Sequence, residues 1–331
     1  MDRGIARGIR RVFLRAFVLV YFCGLPMAAL AQAYPERPVK FVVTSVAGGG
    51  PDIVIRLVAE KLSKLWGVPA IVENRPGGTG TIATQAVVRS APDGYTALFT
   101  VVTLIQAPVL LPKVPYDLDR DFIPVTLVTQ APVILAVKAD SPYRTLADLL
   151  SRARTGASPV SYGTIGIGTS HHIYGETLAR AAKANLLHVP YKGETPALAD
   201  LLGGQIDSAF TSIGAALRLI NSGKIRPLAI IGSTRSSVLP DVPTFPELGF
   251  PALTALGWFG VLVPSGTPKD IVRKLSSDIS RTVQQPEVAG TLRGMGFEPV
   301  GTTPEQFGEF LHSEYFKWER MIRDAGIKVD Q

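Results

Sequence analysis

The sequence predicts an α/β protein built from two lobes with a cleft between them. Short β-rich runs alternate with glycine- or proline-containing loops and helical patterns, which is typical of parallel sheets covered by helices. Two long apolar segments, 122–137 and 251–264, have the character of strands that cross between domains. We therefore expect residues 34–125 and 255–331 to form the first lobe, residues 126–254 to form the second, and two strands to act as the hinge.

The first 33 residues have the pattern of an export signal. Basic residues precede the apolar run AFVLVYFCGLPMAAL, which leads into the cleavage pattern Ala31-Gln32-Ala33. We expect a periplasmic protein cleaved near Ala33. The run RRVFLR also resembles a twin-arginine signal, so the export route stays open. The only cysteine, Cys23, lies inside the signal, which predicts a mature chain without disulfides or thiolate metal sites.

The charge of the chain argues against a nucleic-acid partner. The formal net charge of the whole sequence is +7, but the signal contains five arginines and one aspartate, so the remainder carries only +3. No cluster of Lys and Arg remains after the signal to serve as a basic patch. The later apolar runs are shorter than the roughly 18 residues of a membrane span or contain charges and prolines, which predicts a soluble mature protein.

The strands are predicted from short apolar runs with β-branched and aromatic residues. In chain order they are VKFVVTS, AIVEN, YTALFT, VSYG, LLHVP, IDSAF and RPLAII. Helical spacing of apolar residues predicts helices over 52–65, 269–285 and 304–324. The first of these stripes includes Ile53 and Leu65, and the last helix follows Thr303-Pro304, a capping residue with proline at the first helical position.

The stretch VAGGGPD, residues 46–52, places three glycines between a strand and a helix. Gly48 to Gly50 leave backbone amides uncovered for an anion, and Asp52 suits a helix start as a cap or as an acceptor for a ligand's donor group. The stretch lacks the GK[ST] ending of a nucleotide P-loop and the GxGxxG spacing of a dinucleotide fingerprint. A tight turn without a ligand is the alternative interpretation.

The stretch SYGTIGIGTSHH, residues 161–172, repeats this arrangement in the second lobe. Gly166 and Gly168 follow a strand end, and Thr169 and Ser170 are candidate caps of the next helix. Capping without a ligand is again the alternative. One glycine-rich helix start in each lobe predicts a clamp for a small dianion across the cleft.

Two further turns are candidates for the rim of the cleft. ENRPGGTGT, residues 73–81, is a third glycine-rich turn, with Thr79 and Thr81 as candidate caps. HVPYKG places Tyr191 and Lys192 after another strand. Lys192 is either a solvated lysine or a donor that faces the cleft.

The catalytic inventory is small. His172 and Glu176 have the i, i+4 spacing of a metal pair, but a third ligand is not evident, so we expect no metal and assign His171 and His172 to capping or packing. The sequence has no GxSxG elbow and no paired carboxylates. We therefore expect binding without catalysis, and no cofactor.

The ordered motifs of the chain resemble the TctC/Bug family of extracytoplasmic solute receptors. The motifs that carry the resemblance are YPERPVKFVV, AGGGPD, IVENRPGGTG, APDGYT, YDLDRDFIPV, SYGTIGIGTSHH, HVPYKGETPALADLLGGQID and LPDVPTFPELGF. The resemblance implies a two-lobed periplasmic-binding-protein fold of the Venus-flytrap, type II-like kind. It also implies a small carboxylate ligand (a di- or tricarboxylate, an amino acid or an aromatic acid) and delivery to the membrane subunits of a tripartite tricarboxylate transporter. We expect a monomer.

The resemblance also implies a set of ligand-binding residues. Those of the first lobe are Ala47, Gly48, Gly49 and Asp52. Those of the second lobe are Gly166, Gly168, Thr169, Ser170 and His171, with Tyr191 and Lys192 nearby. The chain departs from the family at Thr44 and Ser45, in TVVTLIQ (100–106) and at Thr211, where hydroxyls are expected to replace bulk and charge in the site.

Two other functions remain open at this point. An exported α/β enzyme, such as a hydrolase or a metal-dependent lyase, would use His171, His172 and Glu176. A sensor that presents a solute to a membrane kinase would use the same fold as a transport receptor.

Overall fold

The computed structural model describes residues 34–327. The predicted export signal, with its cleavage near Ala33 and Cys23, lies outside these residues. In the described range, no helix combines the length and the apolar character that crossing a membrane requires.

Eleven strands are present in the described chain, and we number them in chain order. They are β1 (Val39–Val43), β2 (Ala70–Asn74), β3 (Thr96–Val101), β4 (Phe122–Ala131), β5 (Val133–Lys138), β6 (Val160–Thr164), β7 (Leu186–Pro190), β8 (Ser208–Ser212), β9 (Ile225–Ile230), β10 (Gly257–Pro264) and β11 (Glu298–Pro299). One sheet has the order β11-β4-β10-β3-β1-β2 and the other the order β7-β6-β8-β5-β9. We call the first sheet with its helices lobe 1 and the second lobe 2. Both belong to one compact unit that begins at Arg37.

Both sheets are mixed, so the prediction of parallel sheets was only partly right. β1 pairs in parallel with β2 and β3, and β6 does so with β7 and β8. In contrast, β10 is antiparallel to β3 and β4, and β5 is antiparallel to β8 and β9. A parallel neighbour requires a crossover connection, usually a helix. β5 enters its sheet from lobe 1 and β10 enters its sheet from lobe 2, so neither follows such a crossover.

The two predicted passages between the lobes are present. β4 ends at Ala131 in one sheet and β5 begins at Val133 in the other, so the chain changes sheets at Pro132. The second passage leads from β9 in lobe 2 to β10 in lobe 1. The lobe limits given above stay a prediction.

The described chain has eleven α-helices. They are α1 (Gly50–Trp66), α2 (Thr81–Val88), α3 (Thr103–Leu110), α4 (Leu118–Asp121), α5 (Leu146–Thr155), α6 (Ser170–Ala182), α7 (Glu194–Gly203), α8 (Ile213–Asn221), α9 (Lys269–Gln284), α10 (Pro286–Gly294) and α11 (Pro304–Ala325). The helices predicted over 52–65, 269–285 and 304–324 are confirmed as α1, α9 and α11. Thr303 caps α11, and it forms a capping box with Gln306.

The buried stripe predicted for α1 was too wide. Val54, Val58 and Leu62 are fully buried, but Ile53 is 42% exposed and Leu65 is 47% exposed. Consecutive residues lie about 100° apart around a helix, so a buried face centred on Val54 turns Ile53 towards solvent.

Helix α11 connects the lobes through its apolar face. It packs on β4 and α3 of lobe 1 and on α6 of lobe 2. Phe307, Leu311 and Trp318 of this face are buried, as predicted for a core helix. The apolar core is continuous through both lobes, since one cluster contains Leu98 of β3 and Phe210 of β8.

Candidate functional site

The glycine loop of lobe 1 is held by Asp52. Gly48 has φ +78°, and Gly49 is the N-cap residue of α1. The Asp52 carboxylate accepts hydrogen bonds from the Gly48 N–H at 2.8 Å, Arg56 Nε at 2.9 Å and Asn74 Nδ2 at 2.9 Å. Burial raises the pKa of Asp52, but these hydrogen bonds outweigh it and lower the pKa to about 2. Asp52 is therefore ionised at neutral pH, and it holds the glycine loop through the hydrogen bond from the Gly48 N–H.

The glycine loop of lobe 2 has the same backbone geometry. Gly168 has φ +74°, and Thr169 is the N-cap residue of α6 with φ −77° and ψ 163°, close to the −74° and 164° of Gly49. The Gly168 N–H donates to His172 Nδ1 at 3.2 Å, as the Gly48 N–H donates to Asp52. The two loops differ in the residue that accepts this hydrogen bond: a carboxylate in lobe 1 and an imidazole in lobe 2.

The starts of α1 and α6 lack side-chain caps within the described structure. Thr169 is the N-cap residue, as predicted, but its side chain does not cap the helix, because its hydroxyl donates to the Gly166 carbonyl at 2.7 Å. Gly49 has no side chain to offer. Since the first N–H groups of a helix have no partner inside the helix, both starts can donate to an anion.

His172 packs in a group of polar rings behind the second loop. Its ring stacks on His188 with centroids 3.9 Å apart, and its Nε2 lies 3.8 Å from Glu176 Oε1. Glu176 accepts from the Tyr162 hydroxyl at 2.6 Å, and His188 Nε2 lies 2.7 Å from Thr164 Oγ1. These contacts engage both members of the His172 and Glu176 pair, and the described residues contain no group of three or more candidate metal ligands.

The stacked histidines predict a loss of stability in mild acid. Burial lowers the pKa of His172, with Glu176 opposing, and burial and His172 lower the pKa of His188 to about 4. The unfolded chain, with histidine pKa values near 6.5, takes up protons first as the pH falls. The contribution of the two neutral, buried histidines to the free energy of unfolding is therefore complete above about pH 6.5. It is lost progressively as the pH falls towards about 4.

Thermal unfolding between pH 7.5 and 4.5 tests this prediction, with H172N as the comparison. The Asn side chain can still accept from the Gly168 N–H but does not titrate, so the melting temperature of H172N should fall less steeply with acid. Parallel curves for the two proteins would contradict a role for His172.

A cavity of about 640 Å³ lies between the two glycine loops. The predicted residues that line it are Gly49, Gly168, Thr169, Ser170 and His171. The cavity is also bounded by the start of α3, where Gln106 Nε2 donates to Ser170 Oγ at 3.0 Å. This hydrogen bond links lobe 1 to lobe 2 at the cavity wall. A second cavity, about 570 Å³, lies beside α11 and is lined by none of the glycine-loop residues.

Six of the predicted site residues are not among those that line the cavity: Ala47, Gly48, Asp52, Gly166, Tyr191 and Lys192. Ala47 and Lys192 are exposed, whereas Gly48 and Gly166 shape their loops. The Tyr191 hydroxyl donates to Asp200 at 2.7 Å.

The predicted caps Thr79 and Thr81 were also wrong, because Gly80 precedes α2 and the Thr81 hydroxyl donates to the Gly78 carbonyl. Thr79 does line the cavity, as expected of a turn at the rim.

Sequence reasoning missed Glu194, which lines the cavity two residues after Lys192. Its Oε1 accepts from the Ser212 N–H at 2.5 Å and its Oε2 from the Ser212 hydroxyl at 3.0 Å. His171 Nε2 lies 3.7 Å from Glu194 Oε1. Burial raises the pKa of Glu194, but His171 and the Ser212 hydrogen bonds outweigh it and hold the pKa below its usual range. The acidic residue in the first turn after Gly193 was the signal that pointed to it.

The departures at 44, 45, 100–106 and 211 have different consequences from those expected. Thr44 and Ser45 do not line the cavity, and Thr211 is buried with its hydroxyl 3.4 Å from Glu194 Oε1. The stretch 100–106 supplies Val101, Val102, Thr103 and Gln106 to the wall. The wall is mainly apolar, and Glu194 places one carboxylate in it beside Thr211.

Comparison with known proteins identifies the family. The model of the tripartite tricarboxylate transporter family receptor, TctC, matches residues 54–327. This chain belongs to that family. It is 33% identical to the protein BugT of Bordetella pertussis over 317 residues, which is 94% of this chain and 96% of BugT.

Two solved structures from the family carry ligands. The chain is 32% identical to a protein of R. palustris solved with adipate, with a TM-score of 0.78, over 89% of this chain and 99% of that one. It is 33% identical to MatC from Rhodopseudomonas palustris, solved with bound malate, with a TM-score of 0.73, over 87% of this chain and 100% of MatC. The two-lobed fold predicted from the sequence is thus that of the TctC receptors.

Proposed function

We propose that this chain is a periplasmic solute receptor that captures a small carboxylate between its lobes. The observation that carries the proposal is the convergence of two uncapped helix starts, α1 and α6, on one cavity of about 640 Å³. Free N–H groups and helix dipoles favour an anion at each start. Relatives with the same fold were solved with adipate and with malate.

The ligand carboxylate is held by neutral donors in this proposal. None of the described residues that line the cavity is Lys or Arg. The amide at Gly50, the Ser170 hydroxyl and the amides at the start of α6 are the groups that face the anion, since the Gly49 N–H already donates to the Val46 carbonyl. Hydrogen bonds to an ionised acceptor are strong in a site shielded from water, so recognition does not require a cationic side chain.

The ligand also favours the arrangement in which the lobes meet. It touches both helix starts at once, and the bond from Gln106 to Ser170 forms only when the lobes are together. A ligand that binds one state better shifts the population towards that state. The mature chain, cleaved near Ala33, then acts as a monomer that delivers the solute to membrane subunits of a tripartite transporter.

A thermal-shift screen of the mature protein tests the proposal. The panel contains mono-, di- and tricarboxylates, aromatic acids and amino acids, with the corresponding primary amides as matched controls that lack the carboxylate charge. A cognate acid at about 100 times its Kd should add about 2.7 kcal/mol to the free energy of unfolding, and its amide should add nothing measurable. A panel in which no acid stabilises the protein would refute the proposal.

A further inference from the structure

The cavity has an asymmetric charge pattern. Of the described residues that line it, Glu194 is the one with a permanently charged side chain. Most of the rest of the wall is apolar, and the residues that make it so are Val46, Val101, Val102, Leu110, Ile165 and Phe297. An apolar wall and a fixed negative charge favour a ligand with one carboxylate and a hydrocarbon body.

The Glu194 carboxylate occupies donors that a second ligand carboxylate would need. It binds the N–H and hydroxyl of Ser212, the N-cap residue of α8. Its side chain, about 25% exposed, also lies 3.7 Å from His171 at the start of α6. The carboxylate is thus an internal anion placed at helix starts, which are the positions that bind anions in proteins.

His171 is an unpartnered ring that lies beside Glu194 in the cavity wall. Its side chain is 9% exposed and lines the cavity, and neither ring nitrogen has a hydrogen-bond partner among the described residues. Because Glu194 lies on one side of this ring, a second anion there would meet a like charge in a shielded site, which is strongly unfavourable. Repulsive groups of this kind are a common source of specificity.

We propose that Glu194 fills the second anion position of the cavity, so that this receptor selects monocarboxylates with an apolar body and rejects dicarboxylates. The proposal rests on the carboxylate-binding function above and specifies its ligand class. It distinguishes this chain from the relatives solved with adipate and malate, both of which are dicarboxylates.

Calorimetric titration with matched acids tests the proposal. Hexanoate and adipate share six carbons, and benzoate and terephthalate share one ring, so each pair differs in the second carboxylate. The wild-type protein should bind the monocarboxylate of at least one pair at least about tenfold more tightly than its dicarboxylate. E194Q removes the charge but keeps an oxygen for the Ser212 N–H, so it should raise the ratio of dicarboxylate to monocarboxylate affinity at least about tenfold above that of wild type.

E247Q is the matched control, because Glu247 lies in the same lobe, pairs with Arg235 at 3.0 Å and does not line the cavity. This variant makes the same change in net charge and should leave the ratio of the two affinities unchanged. Thermal unfolding checks that E194Q is folded, and if it is not, the wild-type ratio alone decides.

Three results would overturn the proposal. A wild-type preference for the monocarboxylate that stays below about tenfold in both pairs would overturn the ligand class and leave the receptor function standing. If E194Q and the wild-type protein have the same ratio of dicarboxylate to monocarboxylate affinity, the proposed role of Glu194 is wrong. If neither hexanoate nor benzoate binds, the ligand class is wrong, and the receptor function falls as well only when the whole panel of acids also fails.

Discussion

G48V should weaken carboxylate binding roughly 5- to 30-fold, which corresponds to about 1–2 kcal/mol. Gly48 has φ +78°, where a β-branched residue is a genuine outlier and pays about 1–2 kcal/mol. A Cβ at Gly48 meets no atom within 4 Å, so the effect comes from the backbone and not from a clash. When the introduced valine relaxes to negative φ, its N–H leaves Asp52 and the start of α1 shifts.

The matched control is G67V, at the C-terminal end of the same helix. Gly67 has φ +70° and likewise has no atom within 4 Å of an added Cβ. Both variants should lower the free energy of unfolding by similar amounts, but only G48V should weaken ligand binding. Titration with the acid found in the screen, together with thermal unfolding, separates the two effects. Equal affinities for G48V and G67V would remove the first glycine loop from the site.

G214A should weaken binding roughly 10- to 100-fold by keeping the lobes apart. A Cβ on Gly214, in the first turn of α8, would lie 2.0 Å from the Met295 carbonyl oxygen. The contact joins a lobe 2 helix to the segment between α10 and β11 of lobe 1, beside the cavity residues Ser212 and Phe297. Backbone cannot rotate away as a side chain does, so one lobe must move, and overpacking of this kind costs about 1–3 kcal/mol.

G290A is the control for this second prediction. Gly290 lies within α10, and a Cβ there meets no atom within 4 Å. Alanine at this position should stabilise the helix by about 0.5–1 kcal/mol and leave binding unchanged. Small-angle scattering should show a larger radius of gyration for G214A than for G290A with ligand present. A G214A protein with wild-type affinity would show that the contact between α8 and the Met295 segment does not limit closure.

The sequence predicted the site best where function depends on residues close together in the chain. The conformations of VAGGGPD and of the GTSHH end of the second loop are set by consecutive residues. In each, a strand end, a glycine that tolerates positive φ and an uncapped helix start follow one another. Both loops formed as expected and face one cavity. Tyr191 and Lys192, which were predicted to lie near the site, do not line the cavity, whereas the next two residues, Gly193 and Glu194, do.

Errors of the sequence interpretation arose where the outcome depends on distant partners. The direction of β10 depends on its entry from the other lobe, and apolar runs carry no information about direction. The role of Asp52 depends on its hydrogen-bond donors. Its carboxylate accepts from Arg56 on the same helix and from Asn74 at the end of β2. The local sequence pattern identified Asp52 as an acidic residue at a helix start. It could not show that the Asp52 carboxylate already accepts hydrogen bonds from other residues of the chain.

The sequence by itself predicted an export signal and determined that this is an α/β chain of the TctC receptor family with one glycine-rich helix start in each lobe. These properties follow from local composition, from residue spacing and from the order of the motifs. They can be identified without knowing how the strands pair or how the lobes pack. Only the tertiary structure decided which groups share the cavity, since the bond from Gln106 to Ser170 and the contact of Gly214 with Met295 join residues far apart in sequence. It also decided that Glu194 faces the cavity and Lys192 does not, because that choice depends on how α7 packs beside the start of α8.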